Sequence, residues 1–356
     1  MMKNKLKILY YLIVLLLLNA CTKEPDIMPK TQSLALSPTS GEIKEGDSLK
    51  LTPQINPSNA QPIIAWTSSN EKVATVSQNG MVKALARGSV TITAIADDSI
   101  EANASLTITR EDLPYQLVWS DEFDGNALDL SKWNIETGGG GWGNQEKQYY
   151  TGRSQNLRVE NGNLVIEALK EAYENNAYTS ARITTKNKAM FTYGKMEARI
   201  SLPAGKGTWP AFWMLGTYGS WPLCGEVDIM EHIGSQPTMI SHAVHTYEKN
   251  GSRGNNWYNR QYRDGIENNF HTYAIEWEKK YSEGQDCINF YIDGVKSATI
   301  WEQLSLSDQK TWPFNKDFFL ILNVAIGGTM GGTIDDAIFN NPVMMKVDYV
   351  RVYQRE

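Results

Sequence analysis

Glu226, Asp228 and Glu231 lie close together in the run Trp221-Pro-Leu-Cys-Gly-Glu226-Val-Asp228-Ile-Met-Glu231-His232. Three acids interleaved with apolar residues would be unstable in a plain core, because each buried charge needs a partner or a proton. On a helix, Glu226 and Glu231 would point about 140° apart. On a regular strand, Glu226 and Asp228 share a face while Glu231 falls on the other. One extra residue, bulged out at Ile229 or Met230, restores the phase and puts all three on a common face. Two carboxyl groups so placed suit the hydrolysis of a glycosidic bond, for which retaining enzymes hold them about 5–5.5 Å apart. With a third acid between them, at least one must keep its proton near neutral pH, the state a general acid requires. The plain alternative is a solvated strand face that is acidic by chance, and the aromatic residues nearby argue against it.

The elements that position such a group can be read around it. Gly207-Thr-Trp209-Pro-Ala-Phe-Trp213-Met-Leu is expected to be the neighbouring strand. Trp209 and Trp213 are four residues apart and therefore on one strand face. Resemblance to a glycoside hydrolase family makes that face the cleft, where with Trp221 they would wall the bond to be cut and stack on the apolar faces of sugar rings; a plain core pair is the alternative. Ser241-His-Ala-Val-His245 places His242 and His245 on opposite faces, so at most one meets the acids; His245 is favoured because it resembles a cleft histidine found near the helper acid in a glycoside hydrolase family, and a satisfied structural histidine is its alternative. Two histidines beside acids also suggest zinc, but the helical H-E-x-x-H spacing is missing and that reading is rejected.

The run Glu226-Val-Asp228-Ile-Met-Glu231-His232 resembles the E-x-D-x-x-E signature of glycoside hydrolase family 16, in its bulged, laminarinase-like form. The resemblance implies Glu226 as nucleophile, Glu231 as general acid/base and Asp228 as the helper that tunes the nucleophile. Further pieces match in order from Trp119-Ser-Asp-Glu122-Phe to the closing run Lys346-Val-Asp348-Tyr-Val-Arg-Val-Tyr353. Gly138 to Thr151 resembles the loop bordering the negative subsites, which makes Trp142 and Asn144 candidate sugar ligands. Arg182 stands where the family has an arginine near the same subsites, with a structural ion pair as its alternative. Asn323 belongs to a strand that resembles one lining the cleft. Many relatives carry a structural Ca²⁺, and Glu122, Gly162 and Asp348 are the matching positions. No cofactor is expected for catalysis.

The fold expected from the chain is all-β. Residues 33–109 read as short strands separated by turn signals such as Ser40-Gly41, Asn56-Pro57 and Asn79-Gly80. They resemble a group 2 bacterial immunoglobulin-like domain, a small β-sandwich in which Trp66 is core and which serves as a spacer. Residues 110–114 are a linker. From 115 to 356, strand-like runs at Asn163 to Leu169, Lys195 to Leu202, Thr272 to Trp277, Cys287 to Ile292, Phe318 to Ala325 and Met345 to Tyr353 suggest a jelly-roll sandwich. Family resemblance adds the expectation of a curved catalytic sheet. Helical turns are allowed only at Asp308 to Lys310 and around Asp335 to Ala337.

Residues 1–20 read as a signal peptide, with Lys3, Lys5 and Lys7 before an apolar stretch too short to span a bilayer. Leu18-Asn-Ala-Cys21 resembles a lipobox, which implies lipid on Cys21, a tether over 21–32 and an outer-membrane lipoprotein at the surface of a Gram-negative bacterium. The net charge of −6 comes without a basic patch and gives no support for nucleic-acid binding. Cys224 and Cys287 are too few for a disulfide framework. The expected activity is that of a monomeric retaining endo-β-glucanase acting on laminarin and mixed-linkage β-1,3/1,4-glucan. The alternatives are a catalytically weak surface glycan-binding protein, or a relative cutting another β-glycan such as a galactan.

Overall fold

The computed structural model describes residues 29–97, 99–303 and 307–355. The expected signal peptide and Cys21 lie outside them. The chain divides into two compact units, with the division between Arg110 and Glu111.

The first unit is a β-sandwich. Ser40–Lys44, Ile100–Thr109, Gly88–Ala96 and Ile64–Ser68 form one sheet, and Ser48–Lys50, Met81–Ala84 and Ala74–Val76 another. Alternation along Ile100–Thr109 buries Ala102, Ala104, Leu106 and Ile108 and exposes the residues between them, as a half-buried strand requires. Trp66 is buried in the core of this unit with Leu36, Val82, Ile92 and Leu106. Gly80 turns the chain at φ +77, and a Cβ there would meet the Leu51 carbonyl oxygen at 2.6 Å and the Trp66 ring at 2.8 Å, so only glycine fits.

The second unit is a two-sheet jelly-roll sandwich. Its larger sheet orders Gln148–Tyr150, Asn176–Ser180, Asn163–Tyr173, Val343–Gln354, Gly194–Ser201, Phe270–Ser282, Gln285–Ile292 and Val295–Trp301, with Gln116–Asp121 and Leu157–Glu160 added at its margins. Gln148–Tyr150 and Asn176–Ser180 pair in parallel, the other neighbours are antiparallel, and tight hairpins join some of them. Asp293 and Gly294 join two strands with φ of 52° and 72°, the paired positive values of a two-residue turn. The other sheet has seven antiparallel strands in the order Asn134–Glu136, Arg182–Thr184, Phe318–Ile326, Thr208–Gly216, Glu226–His232, Met239–His245 and Trp257–Tyr262. Its inner face, carrying Phe212, Met214, Val227, Ile229, Met230, Leu320 and Leu322, packs into one core with Met196, Ile275, Phe290 and Val347 of the larger sheet.

Helical structure meets the expectation near Asp335 and departs from it elsewhere. Asp308 to Lys310 is a turn, and the turn near Asp335 is the 3-10 segment Asp336–Asn340, capped by the Asp335 side chain. An unexpected four-residue α-turn occupies Gly328–Gly331, where glycines at φ 68, 75 and 67 let the chain reverse sharply. Among the described residues, no helix is long and apolar enough to cross a membrane.

Candidate active site

The strand Glu226–His232 bulges at Ile229. Against Thr208–Gly216, Met230 pairs with Phe212 and Asp228 with Trp213, leaving Ile229 unopposed. Against Met239–His245, the register slips between Asp228 and Glu231. Ile229 and Met230 both enter the core, and the phase is restored at Glu231. Cross-strand partners share a face. Glu231 pairs with Ala211, Asp228 with Trp213 and Glu226 with Leu215, which puts all three acids on the face turned away from the core. Trp209 alternates onto that face as well.

Each acid has its own surroundings. The Trp209 indole N–H donates to Glu231 Oε1 at 3.0 Å. Trp221, joined to Pro222 by a cis peptide, is 40% exposed and hydrogen-bonds Glu226. His245 Nε2 lies 3.2 Å from Asp228 Oδ2 and 3.6 Å from Glu226 Oε1. Its other nitrogen, Nδ1, accepts the Gly251 backbone N–H at 3.0 Å. A neutral ring that accepts at Nδ1 carries its proton on Nε2, so His245 presents an N–H to the two acids. His242 lies on the opposite face, its ring nitrogens bonded to the Ile229 carbonyl and the Ser297 hydroxyl at 2.7 and 2.8 Å, and burial pushes it down to about 4.

Burial pushes all three carboxyls up, Glu226, Asp228 and Glu231 each to about 8. The charge of Asp228 adds to the rise at both glutamates, while His245 opposes it. These acids titrate as one group that holds protons at neutral pH. Asp228 Oδ2 is buried and accepts no hydrogen bond, although His245 Nε2 lies 3.2 Å from it.

Beyond the acids the same face carries a polar and aromatic floor. Asn323 pairs with Ala211 on one side and Arg182 on the other, and Arg182 with Glu136. The Arg182 guanidinium sits 4.8 Å from the ring centres of both Trp142 and Trp213 and forms an ion pair with Glu136. It is therefore both a cleft residue and an ion-pair member. Trp142 reaches it from the glycine-rich loop at φ 48, with its indole N–H donating to the Gly138 carbonyl at 3.0 Å. Asn144 is exposed on that loop and its side chain bonds Glu146.

A buried chain of hydrogen bonds locks these parts together, and it could not be read from the sequence. Trp213 N–H donates to Asn323 Oδ1 at 2.8 Å, Asn323 Nδ2 to the Tyr150 hydroxyl at 3.1 Å, and that hydroxyl to Glu146 at 3.0 Å. Gln148 adds a second donor to Glu146 at 2.6 Å. The only sequence signal was the polar run within an aromatic segment. Cys224 and Cys287 are free and buried, and burial raises their thiols to about 11 and about 12, which makes them inert as nucleophiles.

The calcium expectation meets a different arrangement. Glu122 takes two hydrogen bonds from Arg351, and Asp348 pairs with Arg199 at 2.7 Å. Both carboxylates are engaged by guanidinium groups, and a divalent ion there would have to displace them. Gly162 sits in a hairpin turn at φ 70 and offers backbone oxygen alone. As arranged, these residues do not fit a cation. Among the described residues, the trio of possible ligand side chains that converges is Glu226, Asp228 and His245, within 4.8 Å of one another.

Paired carboxylates on a tryptophan-lined sheet face define the site of a glycoside hydrolase. The family model described as glycosyl hydrolases family 16 matches residues 144–351, and that of the group 2 bacterial Ig-like domain matches residues 30–108. A beta-glucanase of Rhodothermus marinus is 45% identical over 251 residues, covering 67% of this chain and 85% of that protein. The crystal structure of the laminarinase from Rhodothermus marinus superposes with a TM-score of 0.65 at 43% identity, covering 69% of this chain and 100% of the other. That of SCLam, a non-specific endo-beta-1,3(4)-glucanase, gives 0.63 at 40% identity, covering 69% and 94%. The chain belongs to glycosyl hydrolase family 16.

Proposed function

We propose that this glycoside hydrolase is a retaining endo-β-glucanase whose substrates are glucans containing β-1,3 linkages, laminarin and mixed-linkage β-1,3/1,4-glucan. The observation that carries the reading is the single outward face on which Glu226, Asp228, Glu231, Trp209 and Trp213 converge. The names of the relatives supply the linkage.

In this mechanism Glu226 attacks the anomeric carbon while protonated Glu231 gives its proton to the departing oxygen. Glu231, now a carboxylate, takes a proton from water, and the resulting attack releases the sugar from Glu226. Asp228, beside His245, steadies Glu226 through both charge changes. Trp209 fixes the carboxyl of Glu231 toward the leaving oxygen. Arg182, Trp142, Asn144, Asn323, Trp213 and Trp221 bind the sugar chain.

From the sequence we further infer that Cys21 is lipidated, that the protein is a monomer held at the outer membrane, and that residues 33–109 are a spacer. The catalytic reading is tested by chromatography of the products released from laminarin, barley mixed-linkage glucan, cellulose and agarose, with Glu231→Gln as control. Oligosaccharides from the first two alone are expected. Retention on a glucan without any product would move the reading to a binding protein, and products from agarose would move it to a galactan.

A further inference from the structure

The edge strand Trp257–Tyr262 takes no part in the chemistry described above. Its register against Met239–His245 pairs Ala243 with Tyr258, Ser241 with Arg260 and Met239 with Tyr262. Ala243 and Ser241 in turn pair with Asp228 and Glu231. Tyr258, Arg260 and Tyr262 therefore rise from the same face as the acids, two strands away. That is about 10 Å, roughly two glucosyl units. Alternation sends the residues between them inward. Trp257 stacks on Phe290 at 5.2 Å between ring centres, and Gln261 donates to the Ser297 carbonyl at 3.1 Å.

The three outward side chains form one unit. The Arg260 guanidinium carbon lies 5.0 Å from the centre of the Tyr258 ring, and Tyr258 and Tyr262 both favour its charged form. Tyr262 is 63% exposed. Arg260 is exposed as well, and no carboxylate of the described residues pairs with it. A half-buried Tyr258 and an exposed Tyr262 gathered at one guanidinium have already given up part of their side-chain freedom, so binding to them loses less entropy. It offers ring faces for the apolar side of a pyranose and several N–H donors for its hydroxyls. The acids separate it from Arg182 and Trp142, which occupy the other half of the same face.

We propose that Tyr258, Arg260 and Tyr262 are a binding platform for the half of the β-glucan chain that departs on cleavage. The inference rests on the β-glucanase reading. It implies that a substrate reaching past the cleaved bond onto this strand is cut more efficiently than one with a short leaving group.

The test compares the full chain with its Arg260→Ala/Tyr262→Ala variant on two substrates. One is a reduced laminari-oligosaccharide long enough to lie on both sides of the acids. The other is a nitrophenyl β-laminaribioside, whose leaving group ends short of the edge strand. The ratio of kcat/KM for the long substrate over the aryl substrate is expected to fall about tenfold in the double variant, and by a smaller factor in the milder Arg260→Gln. An unchanged ratio in both variants, with the parent protein active on both substrates, overturns the platform alone. A parent protein inactive on both overturns the β-glucanase reading, and the platform falls with it.

Discussion

Replacing Glu231 by Gln removes one of three buried carboxyls that repel one another once ionised, so the loss of activity should come with a gain in stability as the pH rises. Burial raises the Glu231 carboxyl from 4.5 to about 8, with help from the charge of Asp228 and against the hydrogen bond from Trp209. A carboxyl titrating alone over that interval would carry about 5 kcal/mol of differential stability. Part of this is repulsion shared with Glu226 and Asp228, which leaves an expected effect of about 2 kcal/mol.

The sign follows from proton binding. With its folded pKa raised, Glu231 binds more protons in the native state than in the unfolded chain. Its contribution is fully present below about pH 4 and is lost as pH rises through about 8. Gln has no proton to lose. The variant should match the parent near pH 4 and exceed it near pH 8.5, by about 4–8 °C in the Tm of the catalytic unit. Calorimetry across that range is the assay, alongside a fall in activity of about 10²–10⁴. A Tm difference independent of pH, or a variant less stable at pH 8.5, would refute the reasoning.

Three further outcomes are expected. His245→Gln removes the ring that favours ionised Glu226, so the acid limb of the kcat/KM profile should move up by about one pH unit; an unmoved limb would show that His245 does not act on the nucleophile. Arg182→Lys replaces a planar group sandwiched between Trp142 and Trp213 with one that cannot stack on both. KM should rise about tenfold with kcat nearly unchanged, and an equal loss in kcat would mean that Arg182 acts on the transition state. A chelator should leave the Tm where it is, because Glu122 and Asp348 are already paired with arginines; a fall in Tm would show a bound cation.

Much of the site is legible in a single stretch because the strand period is short. Three acids meant for one face cannot lie at 226, 228 and 231 without a bulge, and the slip is at Ile229. Trp209 and Trp213 follow from the same alternation. Partners drawn from distant segments are not legible in this way. Glu136 meets Arg182 across 46 residues and Asn323 meets Tyr150 across 173, and no local pattern announces either. Gly251 is equally silent, since a backbone N–H leaves no mark on the residue type that carries it. The α-turn at Gly328–Gly331 was missed because the four glycines from Gly327 to Gly332 read as a breaker rather than as a helical start. For the larger sheet the strand runs were visible in β-branched and aromatic spacing, while the order of the strands depends on registers that only the packed core settles.

The bulge at Ile229 also limits how this protein can change over evolutionary time. Because Ile229 and Met230 both point into the core, deleting either one would withdraw a packed side chain, while the regular strand left behind would still carry the three acids on one face at the shorter spacing. No series of single substitutions leads between the two spacings of the paired glutamates. Lineages with and without the extra residue are separated by an insertion or deletion that must be tolerated whole, so that spacing is a durable marker of descent.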